Sequence, residues 1–188
     1  MQEGWRTVTS ETLVKDRWID LRADKCITPK GHEISPYYVL SYSDWVNVVA
    51  ITPDEQILLT KQYRHAAGQA FWEIPGGGID PNDPDPCAAA GRELEEETGY
   101  RAEKIELITT LFPNPASHTN RLHTLLAHNV TPIGEQRLEA GEDGLTVHLM
   151  PIPELIARVR DGFLGQALHT SSVLMALLVS DRLKTAVA

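Results

Sequence analysis

Short runs of β-branched and apolar residues, separated by turn residues, dominate the first half of the chain. Residues 1–45 alternate such runs with polar turns, and Pro29-Lys30-Gly31 has the composition of a hairpin turn. Two longer runs, Val46–Thr52 and Gln56–Tyr63, flank the turn triplet Pro53-Asp54-Glu55, which predicts a second hairpin. The pattern therefore predicts an antiparallel meander followed by strands of a larger sheet.

The hydrophobic pattern changes to a helical period after Pro86. Asp85 can cap the first turn, and Gly99 stands where a left-handed C-terminal cap belongs. These signals predict a helix of about three turns that ends at Gly99. Strand-like runs follow at Ile105–Thr109, Leu122–His128 and Leu145–Met150.

Two segments near the C-terminus have helical patterns, Pro153–Asp161 and Ser171–Leu183. We expect the first to open at its proline and the second at a Thr or Ser cap. Leu174, Leu177 and Leu178 have helical spacing, which predicts that they pack in a core. Because strands and helices occur in mixed order, the fold class is predicted as α/β or α+β.

Composition and charge narrow the class of protein. With 188 residues, of which 42% are apolar, the chain resembles one globular domain, or one domain with a small appendage. Seventeen Lys and Arg against 26 Asp and Glu give a net charge of −9 without a basic face, which argues against a nucleic-acid partner.

The longest strongly apolar stretch, Val173–Val179, is far shorter than the ~20 residues of a membrane span. Together with an N-terminus that lacks a signal pattern, this predicts a cytoplasmic protein with no membrane partner. Cys26 and Cys87 have no metal-binding spacing and are predicted to be free thiols.

Carboxylates crowd the last turns of the predicted helix, in the sequence Arg92-Glu93-Leu94-Glu95-Glu96-Glu97-Thr98-Gly99. At ~100° per residue, Glu93, Glu96 and Glu97 share one helix face, whereas Glu95 projects to the other side. Their mutual repulsion and the negative end of the helix dipole disfavour this arrangement unless a cation offsets it. Clustered hard oxygen ligands suit Mg²⁺ or Mn²⁺, while a solvated acidic face is the alternative.

The segment before the helix favours the metal interpretation. Phe71–Ile74 is a short apolar run that leads into Pro75-Gly76-Gly77-Gly78. Three consecutive glycines allow backbone conformations that other residues resist, so we expect a loop here. Such a loop lets backbone amides and carbonyls approach a metal ion or a diphosphate closely.

Gly78 to Tyr100 resembles the Nudix box, G-x5-E-x7-R-E-U-x-E-E-x-G-U, where U is an apolar residue. The second half matches from Arg92 to Tyr100, but Pro84 stands where the box has its first Glu. Alternatively, one residue is inserted and Gly77 takes the place of the box glycine. Asp83 or Asp85 would be the nearest acidic replacement. The resemblance implies an α/β/α sandwich with a mixed sheet in residues 46–188, plus a small N-terminal antiparallel sheet in residues 1–45.

The same resemblance implies the roles of the box residues. Glu93, Glu96 and Glu97 would bind two or three Mg²⁺ ions, with Mn²⁺ as an alternative, and a carbonyl of Gly76 or Gly77 would complete the coordination. Arg92 would orient the carboxylates, a role that coincides with an ordinary salt bridge. Metals held in this way activate water for attack at phosphorus.

Outside the box, Gln62-Tyr63-Arg64 and the segment from Phe71 to Gly77 resemble the ADP-ribose and nucleotide-sugar pyrophosphatases. By this resemblance Arg64 would contact the diphosphate, as the fork of a guanidinium allows. Glu73 would bind substrate or metal, with a strand-edge salt bridge as the alternative. A late-loop carboxylate would act on the water or bind metal, and Glu142 is the better candidate than Glu139.

Taken together, these resemblances imply a Mg²⁺-dependent hydrolase with Glu97, Glu93, Arg92 and Glu142 as its catalytic residues. Its substrate would be ADP-ribose or a related nucleotide sugar, and its products a nucleoside monophosphate and a sugar phosphate. Dinucleoside polyphosphates and coenzyme A remain alternative substrates, and a non-catalytic nucleotide sensor is an alternative function.

The resemblance also implies a homodimer, in which the N-terminal sheet is often exchanged. An aromatic residue is expected to stack on the base, chosen from Trp5, Trp18, Trp45, Tyr63 and Trp72.

Overall fold

A computed structural model describes residues 4–183 of the chain, which form two compact units. Residues 4–43 and 112–121 form the first unit, and residues 44–111 and 122–183 form the second. The strands are β1 (Arg6–Lys15), β2 (Asp20–Ile27), β3 (Glu33–Leu40), β4 (Trp45–Ile51), β5 (Gln56–Arg64), β6 (Gln69–Glu73), β7 (Gly76–Gly78), β8 (Tyr100–Arg101), β9 (Lys104–Leu111), β10 (Leu122–His128), β11 (Thr131–Pro132) and β12 (Thr146–Pro151). The helices are α1 (Pro86–Thr98), α2 (Ile152–Val159) and α3 (Ala167–Val179), with 3-10 turns at His65–Ala67 and Ala140–Glu142.

The first unit contains a three-stranded antiparallel sheet in the order β1-β2-β3. The Pro29-Lys30-Gly31 turn joins β2 to β3, and Gly31 has the positive φ of 83° that favours glycine. The meander predicted for the N-terminal region is therefore confirmed.

The second unit contains a mixed sheet in the order β12-β5-β4-β10-β9. Strands β4 and β10 run parallel, and the other neighbours are antiparallel. The hairpin of β4 and β5 is paired only near its turn, at Ile51 and Ile57. Farther from the turn, β6 pairs with β5 and β7 pairs with β4. This opening of the hairpin brings the glycine strand β7 beside the start of β4.

Helices pack on both faces of this sheet, so the central strands are buried on both sides. Val48 and Ala50 of β4 belong to a core that includes Leu94 of α1. The alternate residue Val49 belongs to a second core with Leu177 of α3, to which α2 also contributes. Apolar residues on successive positions of a strand are typical of such two-sided burial. The predicted α/β/α sandwich is therefore confirmed for this unit.

Helix α1 forms as its capping residues predict. The Asp85 side chain accepts a hydrogen bond from the Ala88 N–H, and Gly99 ends the helix at a φ of 71°. The preceding glycines depart from the prediction, because Gly76, Gly77 and Gly78 form strand β7 and not a loop.

Helix α3 departs from the prediction at both ends and in its buried face. It begins at Ala167, after Gln166, without any side-chain cap, so the predicted Thr or Ser cap is wrong. The hydroxyl of Ser171 instead donates to the Leu168 carbonyl within the helix. Leu177 is buried as predicted, but the side chains of Leu174 and Leu178 are exposed. Tertiary packing selects a different helix face, which contains His169, Ser172, Val173, Ala176 and Leu177.

Cys26 and Cys87 are both free thiols, as predicted. Within residues 4–183, no helix combines the length and the apolar character needed to cross a membrane.

Candidate active site

The glycines of β7 allow an unusually close approach between backbone and side chains. None of the three has a positive φ, so conformational freedom is not the reason for glycine here. A Cβ on Gly76 would overlap the carbonyl oxygen of Val46, and one on Gly77 would lie 2.5 Å from Oε1 of Glu93. Glycine is therefore required at position 76 by contact with the backbone of β4, and at position 77 by contact with the Glu93 side chain of α1.

Three carboxylates meet beside this strand. Glu93 and Glu97 extend from α1, Glu142 comes from the 3-10 turn before β12, and ligand oxygens of all three lie within 4.8 Å of one another. Glu93 and Glu97 are buried, with 8% and 4% of their surface exposed, and Glu142 is half-buried. The Gly76 N–H donates to Oε2 of Glu97 at 3.0 Å.

Burial makes the charged forms of these groups costly. Desolvation raises the pKa of Glu93 to about 7, although Arg92 acts in the opposite direction. Desolvation also raises the pKa of Glu97 well above its ordinary value, against the effect of the Gly76 N–H and with added repulsion from Glu93 and Glu142. The cluster therefore favours the binding of protons or of a cation.

Glu96 lies outside this cluster, although it was predicted to converge with Glu93 and Glu97. Its Oε2 accepts a hydrogen bond from Nη1 of Arg92 at 3.1 Å, and its side chain is 36% exposed. Glu95 projects to the other side, as predicted, and pairs with Arg101. The third member of the cluster is Glu142, which is distant in sequence.

Arg92 connects the helix to the segment before it. Its guanidinium donates to Oε1 of Glu93 at 3.0 Å and to the Gly78 carbonyl at 3.0 Å. Asp83 accepts two further bonds, from Nε at 3.2 Å and from Nη2 at 2.9 Å. Of the two acidic residues near the missing Glu of the box, Asp83 pairs with the arginine and Asp85 caps α1.

The resemblance to the Nudix box implies that Glu93 is a metal ligand of a hydrolase. On this premise we expect Asp83→Asn to lower kcat about tenfold, because partners that orient metal ligands typically contribute 10- to 100-fold to activity. The amide retains the volume but loses the charge that holds Arg92 against Glu93. Steady-state hydrolysis and Tm should be measured together. Asp80→Asn is the matched control, since Asp80 lies 4.0 Å from Arg92 and is largely exposed. Equal kcat in the Asp83 and Asp80 variants would contradict this role.

The turn that carries Glu142 is anchored at two points. Gln62 of β5, which is buried, donates from Nε2 to the Gly141 carbonyl at 3.3 Å. Within the turn, Glu139 and Glu142 form a reciprocal capping box, and the Glu139 N–H donates to Oε2 of Glu142 at 2.8 Å. Glu139 thus belongs to the cap, and Glu142 belongs to the carboxylate cluster. The role of Gln62 was not foreseen, because no local pattern links it to residue 141.

A cavity of about 450 Å³ adjoins the glycine strand. Its wall includes Trp45, Asn47, Arg64, Phe71, Gly76, Gly77, Gly78, Gln166 and His169. Of the aromatic residues predicted to stack on a base, only Trp45 is part of this wall, while Trp72 stacks on Phe163. Phe71 contributes an aromatic ring that the sequence interpretation had assigned only to a strand.

Arg64 and Glu73 form a bidentate ion pair at the cavity. The distances are 3.0 Å from Nε to Oε1 and 2.5 Å from Nη2 to Oε2. The Glu73 side chain is 2% exposed and that of Arg64 is 40% exposed. The structure therefore shows the salt bridge that was the alternative role for Glu73, with Arg64 in the cavity wall.

The comparisons with known proteins agree with this geometry. Residues 42–167 match the family model of the NUDIX domain, and residues 5–40 match that of the nucleoside diphosphate sugar hydrolase N-terminal domain. The chain is 32% identical to an ADP-ribose pyrophosphatase of Bacillus subtilis over 138 residues, which cover 73% of each chain. It is 28% identical to an ADP-ribose pyrophosphatase of Mycobacterium tuberculosis over 92% of this chain and 83% of that relative. The crystal structure of an ADP compounds hydrolase shares the fold with a TM-score of 0.85 at 19% identity, over 97% of this chain and 99% of that chain.

Proposed function

Since this chain belongs to the NUDIX family and is a Nudix hydrolase, we propose that it hydrolyses the diphosphate linkage of ADP-ribose or a related nucleoside diphosphate sugar. The products are a nucleoside monophosphate and a sugar phosphate, and the cofactor is Mg²⁺, with Mn²⁺ as an alternative. The observation that carries the proposal is the cluster of Glu93, Glu97 and Glu142 beside a cavity that contains the guanidinium of Arg64. The two relatives named ADP-ribose pyrophosphatases support the substrate class.

The residues at the cluster fit a divalent metal ion. Three carboxylates supply hard oxygen ligands of the kind that Mg²⁺ prefers, and burial without enough positive charge leaves Glu93 and Glu97 in need of a cation. We assign Glu93 and Glu97 as ligands, with a carbonyl of Gly76 or Gly77 and with Glu96 at the exposed side, and we assign Glu142 to the proton of the water. A Mg²⁺ ion held by these residues would lower the pKa of a water molecule and would offset the charge that develops on phosphate oxygens.

The remaining groups bind the substrate and handle the proton. Arg64 presents N–H donors to the non-bridging oxygens of the diphosphate, while Glu73 holds the other side of its guanidinium. Glu142, the least buried of the three clustered carboxylates, accepts the proton of the attacking water. Arg92 keeps Glu93 and Glu96 in place through the two bonds of Nη1.

The direct test is incubation of the protein with ADP-ribose and Mg²⁺ in water enriched in ¹⁸O. Mass spectrometry then measures AMP and ribose phosphate and shows which phosphorus atom receives the label. Nucleotide sugars, diadenosine polyphosphates and coenzyme A form the comparison panel, and Mn²⁺ replaces Mg²⁺ in a parallel series. Nucleotide binding without hydrolysis of any member of the panel would favour the alternative of a nucleotide sensor.

Metal affinity should rise with pH. The pKa of Glu93 is raised to about 7, so below that pH the metal must displace a proton, and affinity should fall up to about tenfold per pH unit. Without metal the folded chain holds a proton that the unfolded chain releases between its ordinary pKa of 4.5 and about 7. The free energy of unfolding should therefore decrease as pH rises through this window.

The measurement is Tm with a chelator and with Mg²⁺, at pH 6 and at pH 8. We expect the stabilisation by Mg²⁺ to be larger at pH 8. An equal shift at both pH values would mean that the cluster does not release a proton on binding the metal.

We further propose that the protein acts in the cytoplasm as a homodimer, with residues 1–45 and residues 46–188 as its two domains. The match of residues 5–40 to a model of an N-terminal domain supports this division. Light scattering coupled to gel filtration measures the oligomeric state.

A further inference from the structure

A buried histidine of the cavity wall lies next to the ion pair of Arg64 and Glu73. His169 is in the first turn of α3, and its side chain is 6% exposed. The Ile74 N–H donates to its Nδ1 at 3.2 Å. Because Nδ1 accepts this bond, the neutral ring carries its proton on Nε2. Nε2 lies 3.9 Å from Oε2 of Glu73. The same Oε2 accepts a hydrogen bond from Nη2 of Arg64.

The ring is neutral at ordinary pH. Burial lowers the pKa of His169 to about 4, against the attraction of Glu73 and together with the repulsion of Arg64. A protonated ring would compete with Arg64 for the single carboxylate of Glu73. A neutral ring adds only the dipole of an N–H whose nitrogen lies 3.9 Å from that carboxylate, and such a dipole is effective where water is excluded.

We propose that His169 is a positioning residue for Arg64, acting through Glu73. The Ile74 N–H fixes the ring, the ring faces Oε2 of Glu73, and Glu73 holds the guanidinium at the cavity wall. The distance of 3.9 Å is too long for a direct hydrogen bond, so the contribution is electrostatic and steric. The inference rests on the proposed function in one respect, namely that Arg64 binds a diphosphate.

Two substitutions separate this role from simple packing. In His169→Asn the amide oxygen takes the position of Nδ1 and still accepts from Ile74, but nothing replaces Nε2. In His169→Gln the amide reaches the position of Nε2 and offers an N–H to Glu73, but the acceptor for Ile74 is lost. Because Gln also restores more of the volume of the ring than Asn does, Leu is the packing control. His169→Leu fills the space without an N–H or an acceptor, so it should match His169→Asn if the ring positions Arg64 and should match wild type if the ring only fills space.

The first measurement is NMR of the full-length protein without substrate. The Arg64 Nε–H resonance is assigned by its loss in Arg64→Lys, and its exchange rate with water is measured. We expect exchange about tenfold faster in His169→Asn, because a less firmly held ion pair opens more often, and an intermediate rate in His169→Gln. Equal rates in wild type and His169→Asn would overturn the inference whatever the substrate.

The second measurement is a double-mutant cycle on the hydrolysis of ADP-ribose. We expect His169→Asn to raise KM about fivefold with little change in kcat, and His169→Gln to raise it less. In an Arg64→Ala background, His169→Asn should raise KM by less than about twofold, because the two residues act as one unit. An equal effect in both backgrounds would mean that the ring contacts the substrate itself and would overturn the positioning role.

The two measurements distinguish this inference from the proposed function. If wild type hydrolyses no ADP-ribose but the exchange rates differ as expected, the proposed function fails and the positioning role remains. If hydrolysis occurs and neither exchange nor KM responds to His169→Asn, the positioning role fails and the function remains.

Discussion

Glu97→Gln should retain the fold and lower kcat about a thousandfold. Loss of one group that stabilises charge in the transition state typically lowers kcat by about this factor. The amide preserves the volume of the side chain and can still accept the Gly76 N–H. It removes the negative charge that a metal ion requires at the most buried position of the cluster. Without metal, Tm should not fall, because a buried carboxylate with a raised pKa is replaced by a neutral group.

Glu95→Gln is the matched control for this experiment. Glu95 lies on the same helix, two residues away, but pairs with Arg101 on the other side. The same chemical change there should leave kcat within about twofold of wild type, as expected for a surface ion pair. Equal kcat in Glu97→Gln and wild type would contradict the proposed metal site.

Gly77→Ala should lower kcat about a hundredfold while the protein remains folded. The new Cβ would lie 2.5 Å from Oε1 of Glu93, and this carboxylate must move. The end of a side chain can shift at small cost in stability, but a ligand displaced by about 1 Å costs about 100-fold in rate. The affinity for Mg²⁺ should fall in parallel, and calorimetric titration measures it.

Two other glycines provide the comparison for Gly77→Ala. At Gly76 a Cβ would meet the backbone oxygen of Val46, which cannot move aside, so Gly76→Ala should lower Tm strongly. Gly91 is in α1, and a Cβ there would make an ordinary contact of 3.5 Å with Ile105. Gly91→Ala should leave kcat unchanged and stabilise the helix by up to about 1 kcal/mol. A Gly77→Ala protein with wild-type kcat would show that the close approach to Glu93 is not needed.

Local sequence patterns predicted the structure correctly where one short segment contains all the groups that interact. Helix α1 is such a segment, since Asp85, Pro86 and Gly99 specify its ends through contacts within one turn. The strands of the hairpin and the opposite directions of Glu95 and Glu97 also follow from the periods of strand and helix. The family resemblance rested on the same short segment.

The structure differs from the prediction where the role of a residue depends on partners that are distant in the sequence. The glycines of β7 were predicted to form a loop, but they form a strand in which contact with Val46 and Glu93 explains Gly76 and Gly77. The interpretation of α3 failed for the same reason, because packing on the sheet selects which of its faces is buried. Helical spacing alone cannot distinguish two apolar faces of one helix.

The sequence by itself determined the carboxylate helix, its caps, the alternation of strands around it and the chemical class of the site. Only the tertiary structure decided that Glu142 and not Glu96 joins Glu93 and Glu97 within 4.8 Å, and that His169 lies 3.9 Å from Glu73. The reason is physical. Caps and periods act between residues a few positions apart, whereas these pairs are separated by dozens of residues and meet only when the sheet and helices pack.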